Sequence, residues 1–410
     1  MDILQAKLQV IDAGLRLVKN GLIARTWGNV SCRVSDTQFV ITPSGRAYEG
    51  LTPDEIVLMN INDLSYDGEV KPSGEKGIHA AAYQLRPEVQ FVIHTHQRNA
   101  SMVSVMQKDI TDVPSPWAEL VGGTVPMAAY GLPSTGKLRR GVAASLLDYP
   151  ESKAIIMAHH GAMCVGASYE EAFQITDALE HVCAQFLSRR LLDLTGEAIE
   201  GVLSIHEKIA ALRANRRAKP SAPEFKAYSS FRSGDAFCMK PEDGEGAVVD
   251  VSLPTGEIFE ADEAVEYPDS LELHRVIYQK NKRINAIVHS RQPEIVWASQ
   301  AGKKLKPYLD DFAQIAGINL RVARFNPLNQ LESAVAVNKL LRRREAVLLE
   351  DNGALCVGVN EDEARAVEMV VEKNSATSLA ADLFEKVKTI NVVESALMRF
   401  IYKKKYSKQK

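Results

Sequence analysis

The chain repeats itself, and that restricts what it can fold into more than any single motif does. His79-Ala80-Ala81-Ala82-Tyr83-Gln84 is echoed by His274-Arg275-Val276-Ile277-Tyr278-Gln279, and Phe91-Val92-Ile93-His94-Thr95-His96 by Ala286-Ile287-Val288-His289-Ser290-Arg291, both 195 positions on. A third block, Ala154-Ile155-Ile156-Met157-Ala158-His159-His160-Gly161, returns as Ala346-Val347-Leu348-Leu349-Glu350-Asp351-Asn352-Gly353 after a three-residue deletion. A constant offset through separate blocks points to two tandem copies of one fold. At 410 residues the chain also exceeds the size at which one core keeps growing. Charge, proline and small residues from Arg213 to Pro223 read as the connection between the copies. The expected organisation is a first copy over 1–212, a linker over 213–224, a second copy over 225–390 and a basic C-terminal tail over 391–410, whose end from Tyr402 reads as solvated and frayed.

Composition narrows the partners. A net charge of -3 provides no general attraction to nucleic acid or to an anionic membrane, so a small-molecule substrate is expected. The five cysteines, Cys32, Cys164, Cys183, Cys238 and Cys356, are widely spaced without a CxxC pattern, which fits a reducing compartment. Residues 1–20 carry Asp2, Lys7, Asp12, Arg16 and Lys19 on an amphipathic helix pattern, unlike a signal peptide or membrane span. A cytoplasmic protein is the expectation.

The histidines carry the chemistry. Val89 to Ile93 reads as a buried strand ending at His94-Thr95-His96, and residues two apart on a strand share a face. A second apolar run, Ala154 to Ala158, ends at His159-His160-Gly161. Neighbours on an extended chain point opposite ways, so one member of that pair is expected to join the first two. Three imidazoles with an open fourth position make a catalytic rather than a structural metal site. In the second copy His96 becomes Arg291 and His160 becomes Asn352, so that copy cannot hold the same ion.

With these residues in place, the first copy resembles the class II aldolase/adducin family, and the second resembles it more weakly. Trp27-Gly28-Asn29-Val30-Ser31, Ile41-Thr42-Pro43-Ser44-Gly45, Lys71-Pro72-Ser73-Gly74-Glu75, His94-Thr95-His96 and His160-Gly161 carry the likeness. The resemblance implies an α/β fold: a three-layer α/β/α sandwich with a central, largely antiparallel sheet, present as two tandem copies. It further implies Zn²⁺, or another divalent ion, on His94, His96 and His160, with Glu75 as the catalytic carboxylate. Gly28, Asn29, Thr42, Ser44, Gly45, Ser73 and Gly74 would surround the substrate phosphate. Phosphate-binding members commonly carry serine where this chain has Gly74. Ser73 itself reads as the N-cap of a helix whose free N–H groups suit an anion.

The implied activity is a metal-dependent lyase that cleaves or forms a C–C bond in a small sugar phosphate or related hydroxy-keto compound. The negative charge left by retro-aldol cleavage needs a Lewis acid, and Glu75 would move the proton at the adjacent carbon. A helix start and a dication both favour its ionised form, whereas burial opposes it. Alternatives are an epimerase or dehydratase on the same site, or a non-catalytic adducin-like interaction protein. A homo-oligomer is implied, a dimer forming a pseudo-tetramer. His79 reads as a packing residue because His274 persists in the second copy, His181 as a helix residue without a partner, and neither Tyr130 nor Trp117 falls clearly in place as the general acid.

Overall fold

The structure, a computed structural model, describes residues 1–23, 27–198, 207–209, 211, 222–261, 267–384 and 387–405. Most of the expected linker, 213–221, and the tail residues 406–410 lie outside the described residues. The chain divides into two compact units, Met1–Ile205 and His206–Lys403, with Lys404–Lys410 grouped with the first.

In the first unit, helix α1 (Ile3–Lys19) precedes strands β1 (Asn29–Arg33), β2 (Gln38–Ile41) and β3 (Val57–Asn60). Then come α2 (Lys76–Leu85), β4 (Phe91–Thr95), α3 (Arg98–Ser104), α4 (Trp117–Val121), β5 (Met127–Ala128), α5 (Gly136–Asp148), the hairpin β6 (Ala154–Met157) and β7 (Ala162–Gly166), and α6 (Tyr169–Thr195). The sheet order is β3-β2-β1-β4-β7-β6-β5, antiparallel throughout except for the parallel pair of β5 with β6. Strand alternation sorts the core onto two faces. Phe39, Ile41, Val92, Met163 and Val165 pack with Ile78 and Tyr83 of α2 and Val142 of α5. Val30, Cys32, Val40, Phe91 and Ile93 pack with Val10 and Leu17 of α1 and Phe173 of α6. The result is helices, sheet, helices in three layers.

The second unit rebuilds this plan with an extra edge strand. Its strands are β8 (Tyr228–Ser233), β9 (Ala236–Pro241), β10 (Val249–Ser252), β11 (Ile258–Ala261), β12 (Ala286–Ser290), β13 (Val322–Ala323), β14 (Ala346–Leu349) and β15 (Gly353–Gly358). They are ordered β11-β10-β9-β8-β12-β15-β14-β13. Its helices are α7 (Leu271–Lys280), α8 (Pro293–Gln300), α9 (Asp310–Ile315), α10 (Gln330–Leu341), α11 (Glu361–Phe384) and α12 (Val392–Lys405). The last occupies the start of the segment expected as a basic tail, while the end read as frayed, from Tyr402, is described only to Lys405. Arg399 of α12 is buried and donates to the carbonyls of Gln314 and Ile315 and to Glu345, while Ser395 and Met398 are buried beside it. Lysine-rich sequence conceals this because the anchoring residues sit upstream of the charge run.

Candidate metal centre

β4 is the central strand of the first sheet, and the pleat puts His94 on the same face as Val92, the face covered by α2. His96 follows one residue past the strand end. The β6–β7 hairpin contributes the third imidazole from its turn: the Met157 N–H donates to the Gly161 carbonyl at 2.8 Å and the His160 N–H to the Met157 carbonyl at 3.1 Å. His159 takes φ 60° in that turn, so turn geometry, rather than the alternation expected of an extended pair, separates the two neighbours. Gly161 is required by space, since a Cβ there would lie 2.2 Å from the Thr95 carbonyl oxygen and 3.3 Å from His94 Cε1.

The rings of His94 and His160 stack with centroids 4.9 Å apart, and His96 lies 4.8 Å from His94 at 58°. The ligand nitrogens of His94, His96 and His160 all lie within 4.8 Å of one another, making this the one metal-capable group of three such residues among the described residues. Glu75 reaches the same point, with Oε2 3.0 Å from His94 Nε2 and Oε1 2.9 Å from His160 Nε2. Burial pushes its carboxyl up, but the facing His160 and His94 rings hold it well below the usual carboxylate range. The competition left open by sequence is decided in favour of the ionised form.

A donor count tests whether these residues fit a cation. His94 Nδ1 lies 2.8 Å from the Ala162 carbonyl, which can only accept, so Nδ1 carries the proton. That leaves His94 Nε2 as the atom facing Glu75, 3.0 Å from its Oε2. Three imidazole nitrogens and a carboxylate thus converge on one small buried space, the donor set a divalent ion takes. Nδ1–H donating to a backbone carbonyl is also the usual way a metal-bound histidine is oriented. The group fits a divalent ion.

The loops around this centre pair as a short ladder. Pro43 and Pro72 form a β-bridge, the Ser44 N–H donates to the Lys71 carbonyl at 2.8 Å and the Ser73 N–H to the Thr42 carbonyl at 3.0 Å. The Thr42 hydroxyl accepts from the Val30 N–H, and Gly45 takes φ 72°. Gly28, at φ 81°, leaves room for the backbone of His94, whose carbonyl oxygen would be 2.5 Å from a Cβ there. Ser73 is not the N-cap that sequence suggested. α2 begins at Lys76 with Glu75 in the cap position, and the Ser73 hydroxyl accepts the Glu75 N–H at 3.2 Å. Because the Glu75 carboxylate turns into the histidine cluster, Ser73 braces it from behind. A cleft of about 180 Å³ beside Glu75 is lined by Gly74, Lys76, Thr135 and Arg139.

Sequence reasoning missed three arrangements. His79 is hydrogen-bonded at both ring nitrogens, to Asn29 Oδ1 and Ser31 Oγ, and is no mere packing residue. His181 stacks on Trp117 with centroids 4.9 Å apart. Tyr130 meets His159 edge-on at 5.4 Å. The spacing of Glu75 and His79 by four residues was the visible signal for the first.

The sequence profile described as the class II aldolase and adducin N-terminal domain matches residues 8–187 and again 236–379. The chain belongs to the class II aldolase and adducin family. Among curated relatives, an L-fuculose phosphate aldolase of Escherichia coli O6:H1 is 34% identical over 180 residues, 44% of this chain and 81% of that protein. A 5-methylthioribulose-1-phosphate/5-deoxyribulose-1-phosphate aldolase of Escherichia coli O45:K1 is 32% identical over 182 residues, covering 44% and 82%. A methylthioribulose-1-phosphate dehydratase of Yersinia enterocolitica is 29% identical over 184 residues, covering 43% and 88%.

Both family domains of the chain are therefore visible, yet among the described residues only the first has the cluster. At the corresponding place in the second, His289 Nε2 donates to the Asn352 carbonyl at 2.7 Å, Asn352 Nδ2 donates to the Pro223 carbonyl, and Ser270 stands where the first domain has Glu75. No helix among the described residues is long and apolar enough to cross a membrane.

Proposed function

We propose that the first unit is a zinc-dependent aldolase acting on a small sugar phosphate, with dihydroxyacetone phosphate and an aldehyde as the product pair. The observation that carries this reading is the convergence of the His94, His96 and His160 ligand nitrogens within 4.8 Å of one another, with Glu75 Oε2 3.0 Å from His94 Nε2. His94, His96 and His160 would hold the ion, which supplies Lewis-acid polarisation of the substrate's carbonyl and hydroxyl oxygens. Three imidazoles with a displaceable carboxylate favour zinc among common divalent ions.

Glu75 is the one carboxylate at the centre, and we assign it the proton movement at the carbon next to the substrate carbonyl. Asn29 holds it in place, with Nδ2 donating to Oε2 at 3.1 Å. Gly28, Asn29, Thr42, Ser44, Gly45, Ser73 and Gly74 would form the phosphate end, the loops that carry the last five being held together by the Pro43–Pro72 bridge. Residues 1–212 then serve as the catalytic domain and 225–390 as a copy kept for fold or assembly. Two chains would build a pseudo-tetramer, and the absence of disulfides among the five cysteines fits a cytoplasmic protein.

A second reading, dehydration of a related sugar phosphate, draws on the similarity to the Yersinia enterocolitica dehydratase. Product analysis separates the two, because only cleavage releases an aldehyde. The deciding experiment measures metal content by mass spectrometry on protein purified without chelator or nickel, beside an aldol-cleavage screen. About one ion per chain, lost in His96→Ala, together with aldehyde release is expected. Protein that neither carries nor takes up metal would sink the proposal.

A further inference from the structure

Behind Glu75 runs a buried chain of hydrogen bonds whose direction is dictated by chemistry. Asn29 donates its amide Nδ2–H to Glu75 Oε2 at 3.1 Å. That leaves Asn29 Oδ1, an acceptor, facing His79 Nε2, which must then carry a proton. Burial, with the nearby His94, drives the His79 pKa down to about 3, so the ring is neutral and Nδ1 accepts. Ser31 Oγ donates to it at 2.6 Å and takes the hydroxyl proton of Tyr83 at 2.7 Å. Ser31 and His79 are fully buried, and Tyr83 and Asn29 nearly so.

The second unit keeps the inner part of this chain and loses the outer part. Ser230 Oγ meets His274 Nδ1 at 2.7 Å and the Tyr278 hydroxyl at 2.8 Å, repeating the arrangement of Ser31, His79 and Tyr83. There the outward nitrogen, His274 Nε2, is buried without a hydrogen-bond partner, and so is Ser270 Oγ at the place of Glu75. The Tyr–Ser–His segment is thus a strut shared by both copies, while its connection through an asparagine to a carboxylate exists only beside the histidine cluster.

We infer that His79 is a positioning residue for the proposed aldolase, holding the Asn29 amide in the one orientation that fixes the Glu75 carboxylate toward His94 and His160. The inference rests on the proposed role of Glu75 and deepens it. Neutral His79 acts as a one-way connector: it accepts from Ser31 on one side and donates to Asn29 on the other. Without that donor, the Asn29 amide has no reason to keep its oxygen inward, and a flip would set oxygen against the carboxylate.

Two readouts test this. In metal-free protein with ¹⁵N-labelled histidine, long-range proton–nitrogen spectra should show His79 as the Nε2–H tautomer, with its proton shifted downfield and shielded from exchange. Nδ1–H instead would overturn the inference, whatever the enzyme's activity proves to be. In the metal-loaded full chain, His79→Leu should lower kcat about 10- to 100-fold with KM changed less, as loss of a supporting contact does. His79→Gln, whose amide can still donate at the Nε2 position, should recover most of it. His274→Leu in the second unit should lower stability and leave kcat alone. A folded His79→Leu protein with wild-type kcat would sink the inference, as would equal kcat losses in His79→Leu and His274→Leu. Should the leucine variant not fold, the glutamine variant and the spectrum decide. Wild type lacking all aldolase activity would count against the proposed function, leaving the tautomer measurement to judge the hydrogen-bond chain.

Discussion

Gly161 shows how one residue serves both fold and site. It lets the β6–β7 turn close against β4, and its missing Cβ is the space in which the Thr95 carbonyl and the edge of His94 sit. Gly161→Ala should therefore destabilise the protein by about 1–3 kcal/mol, the cost of overpacking, and should also weaken metal uptake. Chemical denaturation and metal titration on one sample check both, and a fully stable variant with intact binding would contradict the packing account. Gly353 meets the same demand in the second copy, where a Cβ would lie 2.0 Å from the Ser290 carbonyl oxygen, although no metal cluster is built there among the described residues. The glycine belongs to the turn first and to the chemistry second.

At the scale of elements, single buried side chains tie helices together. Arg86, just past the end of α2, donates to the carbonyls of Ser152, Leu146 and Tyr149 at the end of α5 and beyond. Arg86→Met leaves those acceptors without this donor and should cost on the order of 3 kcal/mol in unfolding free energy. Glu180 of α6 makes a comparable tie, accepting the Asn99 and Ala100 N–H groups at the start of α3. Burial raises its pKa to about 7 against those two donors and Arg98, which favour the ionised form. A carboxyl raised in the folded state favours folding while protonated. Its contribution is therefore full below about 4.5 and is lost as the pH climbs to about 7. At roughly 1.4 kcal/mol per unit the slope is measurable, and Glu180→Gln should flatten it between pH 5 and 7. An unchanged slope in urea denaturation would show that another group titrates there.

For the whole molecule, the two family domains predict unequal chemistry from a shared frame. Calorimetric titration of metal-stripped full chain should saturate near one divalent ion per chain, as expected if only the first domain has the ligands. Two equal sites would mean that the second domain binds through residues other than His289, Arg291 and Asn352. That domain's own cleft, about 410 Å³, is lined by Lys226, Glu242, Asp243, His289 and Arg291. Its charges are largely paired internally: Arg365 bridges Glu242 at 2.8 Å and Glu368 at 3.1 Å.

Much of this was legible in sequence because the signals were local or periodic. The duplication showed as a constant offset, the strands as apolar runs, and the histidines that converge in the first domain as a same-face pair and, through the family resemblance, a residue before glycine. The replacement of His96 and His160 by Arg291 and Asn352 in the second copy was visible as plain substitution. Tertiary structure alone decided the rest, because each such feature joins residues distant in sequence. The protonation of Glu75 depends on imidazoles from β4 and from the β6–β7 turn set against its burial. The tautomer of His94 is chosen by a carbonyl 68 positions away. His79 connects two residues of β1, 48 and 50 positions before it; its spacing from Glu75 marks the helix face but names neither partner. Local pattern places a side chain on a face; what that face meets is settled when the layers pack.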